Sequence, residues 1–138
     1  NVLALDDSFA EGVHAGQLSH TLITSDSEYA ALTVPDINAQ ITDDDVAAVA
    51  STEGGGSTSA SEVGATDSYT LVLSTQPTAD VTVSITPDAQ VTANASAAAI
   101  NITFTAGASP GPGNWCTAQT VNVAAVARPA PTPTTADS

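Results

Sequence analysis

The chain reads as an all-β protein, and more narrowly as an immunoglobulin-like Greek-key sandwich. Three observations carry that reading. Apolar residues recur at every second position, turn signals interrupt the runs at short intervals, and helix-period patterns are nearly absent. Many short half-buried strands joined by frequent turns are the pattern of a two-sheet β-domain.

Taken in order, Leu18, His20 and Leu22 line one face of a first strand. Ile37, Ala39 and Ile41 line a second. The stretch Thr52 to Ser61 is rich in Gly and Ser and reads as a linker or as a break in a strand. Tyr69, Leu71 and Leu73 then share a face, and the turn Thr75-Gln76-Pro77 ends that run. Val81, Val83 and Ile85 alternate with Thr82, Ser84 and Thr86, before the turn Thr86-Pro87-Asp88. Ile100, Ile102 and Phe104 alternate with Asn101, Thr103 and Thr105. A Gly-rich turn spans Gly107 to Gly113, and Val121, Val123 and Ala125 form the last apolar face. Residues 128–138 form a Pro/Thr tail, expected as an extended polyproline stalk whose Thr132, Thr134 and Thr135 are open to O-glycosylation.

Composition narrows the class of partner. Fifteen Asp and Glu face a single basic residue, Arg128, for a net charge of −14. Nucleic acid is excluded, because nothing neutralises phosphate. An anionic membrane surface is equally unsuited, and no apolar run approaches the roughly 18 residues of a membrane span. Divalent cations are the natural counter-charge. The scarcity of Lys and Arg beside abundant Thr, Ser, Ala and Val is an extracellular composition. With no Met and no signal peptide, the sequence reads as a processed or excised piece of a longer product. With five aromatic residues, the core is expected to be thin and β-branched. The single Cys116 has no partner for an internal disulfide and is expected as a small buried hydrophobe.

The acids are clustered. Asp43-Asp44-Asp45 closes one β-like segment, and Asp6-Asp7 with Glu11 closes another. Like charges so close repel unless a cation holds them. Carboxylates at strand ends, without Cys/His groups at zinc spacing, point to Ca²⁺. Affinity is expected near ~10⁻⁴–10⁻³ M, as in other extracellular modules. Glu53, Asp67 and Asp80 are weaker candidates, expected to solvate loops. His20 is expected packed on its strand face, and His14 in a loop. Neither belongs to a triad, and the serines lack a Gly-x-Ser-x-Gly turn. Gly54-Gly55-Gly56 lacks the lysine and helix of a phosphate loop, so no enzyme is expected. Asn94-Ala-Ser96 and Asn101-Ile-Thr103 are N-glycosylation sequons, Asn101 on the outward parity of its strand.

The segment Ser61-Glu-Val-Gly-Ala-Thr-Asp-Ser-Tyr-Thr-Leu-Val-Leu-Ser-Thr-Gln-Pro-Thr-Ala-Asp-Val-Thr-Val resembles the opening half of the Calx-beta-like repeats of large bacterial surface proteins. Asn114-Trp115 followed by Gln119-Thr-Val-Asn-Val resembles the same half. The segment Leu5-Asp-Asp-Ser-Phe-Ala-Glu-Gly-Val-His-Ala-Gly-Gln-Leu-Ser-His-Thr, ending in Val34-Pro-Asp-Ile-Asn-Ala-Gln-Ile-Thr-Asp-Asp-Asp, resembles the closing half. The resemblance implies a seven-stranded sandwich with Ca²⁺ at one pole. By motif its ligands are Asp6, Asp7, Glu11, Asp43, Asp44, Asp45 and Glu62.

The halves come in reversed order. Residues 1–45 match the second half of a module and 46–127 the first half of the next, with 128–138 as stalk. Val121-Asn-Val-Ala-Ala-Val also resembles Asn1-Val-Leu-Ala-Leu, so a similar strand is expected at both ends. After that second copy the family's acidic pair is missing and Ala127-Arg128-Pro129 follows. Asp45 is joined to the next strand by almost no linker. Folding residues 1–45 back onto 46–127 is therefore strained, and completing a neighbour's sheet is easier. Three readings stay open: a head-to-tail polymer, a window cut from a tandem array, and a permuted domain. The leading functional expectation is a secreted or surface-bound structural subunit, self-associating with Ca²⁺ at its joints. The alternatives are an adhesin-type repeat presenting loops to a glycan or receptor, and a Ca²⁺ sensor.

Overall fold

The computed structural model describes residues 1–107 and 113–128. The protein is all-β. Its strands are β1 (His14–Leu18), β2 (Ile37–Ile41), β3 (Val49–Glu53), β4 (Thr66–Leu73), β5 (Val81–Ile85), β6 (Val91–Ala93), β7 (Ile100–Phe104) and β8 (Gln119–Ala125). Every strand pair is antiparallel. Contacts divide the chain between Val46 and Ala47 into two units.

The first unit is built on one pair, β1 with β2, in the register His14↔Ile41, Gly16↔Ala39 and Leu18↔Ile37. Because side chains alternate, these six share one face, while Ala15, Gln17, Asn38 and Gln40 share the other. The apolar side of the pair is thus set by the sequence. Gly16 lies under Ile41, whose Cδ1 is 3.2 Å from where a Cβ would stand. Yet no residue of Asn1–Val46 is buried. Leu18 remains 36 % exposed and Ile37 56 %. β1 ends at Leu18, so His20 and Leu22 do not continue its face as the alternation suggested. His20 is exposed and bonds the Pro35 carbonyl through Nδ1 at 2.9 Å. His14, expected in a loop, opens β1. Residues 1–5 carry no strand, although they resemble the start of β8. Val2, Leu3 and Leu5 are exposed.

The second unit has two sheets, one ordered β3-β4-β8-β6 and the other β5-β7. They face each other across Leu71, Leu73, Ala93 and Val121 from the first and Ile102 and Phe104 from the second. The alternation of β4, β7 and β8 delivers these residues to one side. The core is small, as expected, but Leu and Phe carry as much of it as β-branched residues. Phe104 and Val121 are fully buried. Tyr69, Val81, Val83, Ile85, Ile100 and Trp115 pack around this centre.

Turns close as their residues dictate. Asn94 and Ala95 take φ of 48° and 63°, a two-residue turn of primed type closed by Ala93 and Ser96 bonding each other's backbone. β6, only three residues long, was not legible in the apolar pattern. Gly54–Gly56 form a short 3₁₀ turn after β3, with positive φ at Gly55 and Gly56. The Gly/Ser stretch therefore follows a strand within the second unit. Asn114 is buried and satisfied: its Nδ2 donates to the Gly107 carbonyl, and its Oδ1 accepts from the Cys116 N–H and Sγ–H. Cys116 itself is exposed, not buried. It sits beside a buried Asn rather than inside the apolar cluster.

Candidate metal centre

The carboxylates Asp6, Asp7, Glu11, Asp43, Asp44 and Asp45 all belong to the first unit, around the end of the hairpin where His14 faces Ile41. They divide into three roles. Asp6, Asp44 and Asp45 each offer an oxygen within 4.8 Å of the others. Asp6 and Asp44 are exposed and Asp45 is half-buried. Three hard oxygens at this spacing can converge on one divalent cation, with water filling the remaining positions that Ca²⁺ takes.

Asp43 is turned to the backbone. Its Oδ2 accepts the N–H groups of Glu11 at 2.7 Å and Gly12 at 2.9 Å, and its Oδ1 accepts that of Asp45 at 3.1 Å. It ties the approach to β1 to the exit from β2. Those bonds, Gly12 first, then Asp45 and Glu11, hold its carboxyl below the usual range. Asp45 behaves oppositely. Partial desolvation and the charges of Asp43, Asp44, Asp6 and Asp7 raise its pKa. A cation at the cluster would remove the repulsion that raises it.

Asp7 and Glu11 are engaged locally. Asp7 Oδ1 accepts the Phe9 N–H at 2.8 Å, closing an Asx turn. Glu11 Oε2 lies 3.6 Å from His14 Nε2, an ion pair when the ring is protonated, while His14 Nδ1 bonds the Gly12 carbonyl at 3.1 Å. Glu62 lies in the second unit, in the turn closed by the Gly64 N–H on the Ser61 carbonyl.

Two acids expected only to solvate loops have structural work. Asp67 lies in β4, accepts the Ser59 and Ser68 N–H groups at 2.8 and 2.7 Å, and is held below the usual range by them. Asp80 Oδ1 accepts the Ala106 N–H at 3.0 Å. The sequence signal for both was weak, since each is a single acid in a Ser/Thr context. Glu53 is exposed at the end of β3.

Asn101 is exposed on the outward side of β7, on the parity its alternation indicates. Asn94 is docked in its turn, its Oδ1 accepting the Asn122 N–H at 2.8 Å. Thr132, Thr134 and Thr135 lie outside the described residues.

No family model, curated protein or solved structure matches the chain. The likeness to Calx-beta-like repeats rests on the residues quoted for it. No helix of the described residues is long and apolar enough to cross a membrane.

Proposed function

We propose that this chain is a structural subunit of an extracellular filament or surface array, assembling head to tail with Ca²⁺ at its joints. One observation carries the reading: residues 1–46 form an amphipathic strand pair that buries none of its side chains. A lone two-stranded hairpin is marginal in water, and its apolar face calls for a partner surface. The acid cluster supports the second half of the proposal. Asp6, Asp44 and Asp45 gather at one end of that hairpin, where a joint to a neighbour would lie, and a cation there offsets charge that opposes assembly. In this reading the second unit is part of an immunoglobulin-like Greek-key sandwich in permuted phase, completed by a neighbouring copy. The acidic, Lys/Arg-poor composition supports secretion or surface display without nucleic acid or membrane insertion.

Sedimentation velocity and negative-stain microscopy of the full chain, with Ca²⁺ and with chelator, test the proposal. Concentration-dependent growth into fibres in Ca²⁺ supports it. A compact monomer at every concentration in both conditions removes it. A second reading, an adhesin-type repeat for glycans, has one observation in its favour. A shallow patch of the second unit brings Asn94, Asn101, Thr103, Thr117, Gln119 and Thr120 together beside Ile102 and Ala118. A monodisperse monomer that binds glycan would select it.

A further inference from the structure

The two sheets of the second unit are unequal: four strands face two. The two edges of the smaller sheet differ. The outer edge of β7 is bonded at its C-terminal end. Gln119 Nε2 donates to the Thr103 carbonyl at 2.9 Å, the Thr105 N–H donates to Gly113 at 2.8 Å, and the Trp115 N–H donates to Thr105 at 3.2 Å. These bonds hold β7 beside the start of β8. The other edge of that sheet is β5, and no described strand pairs with it there. Since β7 sits by β8, β5 opens toward β4 and β3. The strand left uncovered is β3, exposed at all five positions, with Val49 on the same face as its neighbour Leu73. The gap therefore has an open strand edge on one side and an uncovered floor, where Val49 stands beside Ser51 and Glu53.

We infer that this gap is the docking site for the β1–β2 hairpin of a second copy, with β1 adding antiparallel to β5; this rests on the self-association proposed above. The fit is one of width, pattern and orientation. The missing cover is two strands, and the orphan unit is two strands wide. Pairing Leu18 with Val81, Gly16 with Val83 and His14 with Ile85 turns the hairpin's apolar face inward, alongside the half-buried faces of Val81, Val83 and Ile85. Ala15 and Gln17 then stand outside with Ser84 and Thr82. β2 becomes the new outer edge. It is flanked by Pro35-Asp36 and by Asp43–Asp45, residues of the kind that guard exposed edges.

Orientation favours another copy over the same chain. The Leu73 N–H donates to the Trp115 carbonyl, and the Trp115 N–H donates to Thr105. So the end of β4, the end of β7 and the start of β5 lie together, and Val49, opposite Leu73, starts β3 at that same end. With β1 antiparallel on β5, Ile41 lies at the opposite end, beside Ile85. A chain completing itself would run residues 42–48 back along the whole sandwich to Val49. That is a path of ~20 Å or more, from a strand length of ~17 Å and a sheet separation of ~10 Å. A fully extended link of this size reaches about 28 Å at most. The link could span that path only by straightening, at the expense of the turn in which Asp43 accepts the Asp45 N–H. A donor copy carries no such constraint, because its link can lead away from the acceptor's far end.

The test is cysteine cross-linking in the full chain with Cys116→Ser. Ala15→Cys and Ser84→Cys are combined in one chain, and Gln17→Cys with Thr82→Cys in another. All four sites face outward in the pairing, and directly opposed strand residues have Cα separations a disulfide accepts. The expected result on oxidation is a ladder of covalent oligomers. Mixing a chain bearing only Ala15→Cys with one bearing only Ser84→Cys gives a covalent dimer of twice the chain mass. An oxidised monomer with an internal disulfide overturns the inference and the head-to-tail reading together. Polymers in sedimentation with neither disulfide pair forming overturn the strand assignment but leave self-association standing. Monomers without the disulfide remove both.

Discussion

The two units of this chain use the same alternation and reach opposite ends. In β4, β7 and β8 the apolar parity meets a facing sheet, and Phe104 and Val121 become inaccessible. In β1 and β2 the parity is as clear, yet Leu18 and Ile37 stay open to solvent. An apolar stripe specifies a face, not what covers it. A strand pair becomes a stable unit only when a second layer removes that face from water.

The largest effect that would sharpen the contrast is a truncation in each unit. Phe104→Ala should cost about 3–5 kcal/mol and bring the second unit close to unfolding. Leu18→Ala in dilute monomer should stay within about 0.5 kcal/mol, since little area is lost. Urea unfolding followed by Trp115 fluorescence reads the first change, and the same curve should hardly move for the second. Equal losses would mean that Leu18 is already covered in the monomer, and the contrast would fail.

Hydrogen exchange gives the next measure. Amides of β4 and β8 should exchange only through unfolding of the second unit, and those of β1 and β2 through local opening at little cost. Raising the concentration in Ca²⁺ should slow exchange in β1 and in β5 together, leaving β4 and β8 as they were. Protection of β1 without change in β5 would send the hairpin to some other surface.

Much of this was legible in the residues, and the failures have physical causes. The faces of β4, β5, β7 and β8 follow from period two because each strand has one wet side, and β2 shows the same period without a covered side. β6 is not legible because Val91–Ala93 is too short to show a period, and its place is set by pairing with β8. Leu22 fits the alternation of β1 but lies beyond the point where β2 stops pairing. Cys116, expected buried, is exposed, because composition cannot show that the neighbouring Asn114 takes the interior position. At the acid cluster, the sequence named a set of carboxylates but could not divide them. Which of them face one another and which accept N–H bonds depends on the meeting of residues 6–12 with 43–45, a contact about thirty residues apart in sequence.

A smaller effect belongs to the cation. With a Kd near ~10⁻⁴–10⁻³ M, 10 mM Ca²⁺ should stabilise the liganded form by about 1.4–2.7 kcal/mol over chelator. Asp44→Asn should abolish most of that gain. Glu62 lies just before β4, at the end of the second unit to which a donor hairpin would bring its acid cluster. Glu62→Gln should therefore weaken the Ca²⁺ dependence of assembly without affecting the dilute monomer. Calorimetric melts with and without Ca²⁺ measure both. A Ca²⁺ response that survives Asp44→Asn unchanged would dissociate the cation from this cluster.

The smallest expected effect is also the most local, and it compares carboxylates across the two units. Asp43 and Asp67 each accept backbone N–H bonds, and both are lowered from the ordinary 3.8. A lowered folded-state pKa means stability that is present above the ordinary value and lost as pH falls through the lowered one. Carboxyl-carbon NMR should therefore find both midpoints below 3.8, with the Gly12 and Ser59 amides losing protection in the same interval. Asp45 carries the reverse sign. Its pKa is raised, so its contribution is present at low pH and lost as pH rises, leaving a charged, repelled carboxylate at neutrality. In chelator, Asp45→Asn should slow exchange of the Gly12 amide at neutral pH, and Asp43→Asn should speed it. Added Ca²⁺ should pull the Asp45 midpoint down while leaving Asp67 unmoved, because a cation replaces repulsion only where carboxylates converge. A midpoint for Asp45 that ignores Ca²⁺ would place its shift in desolvation alone and leave the three oxygens as neighbours without a ligand.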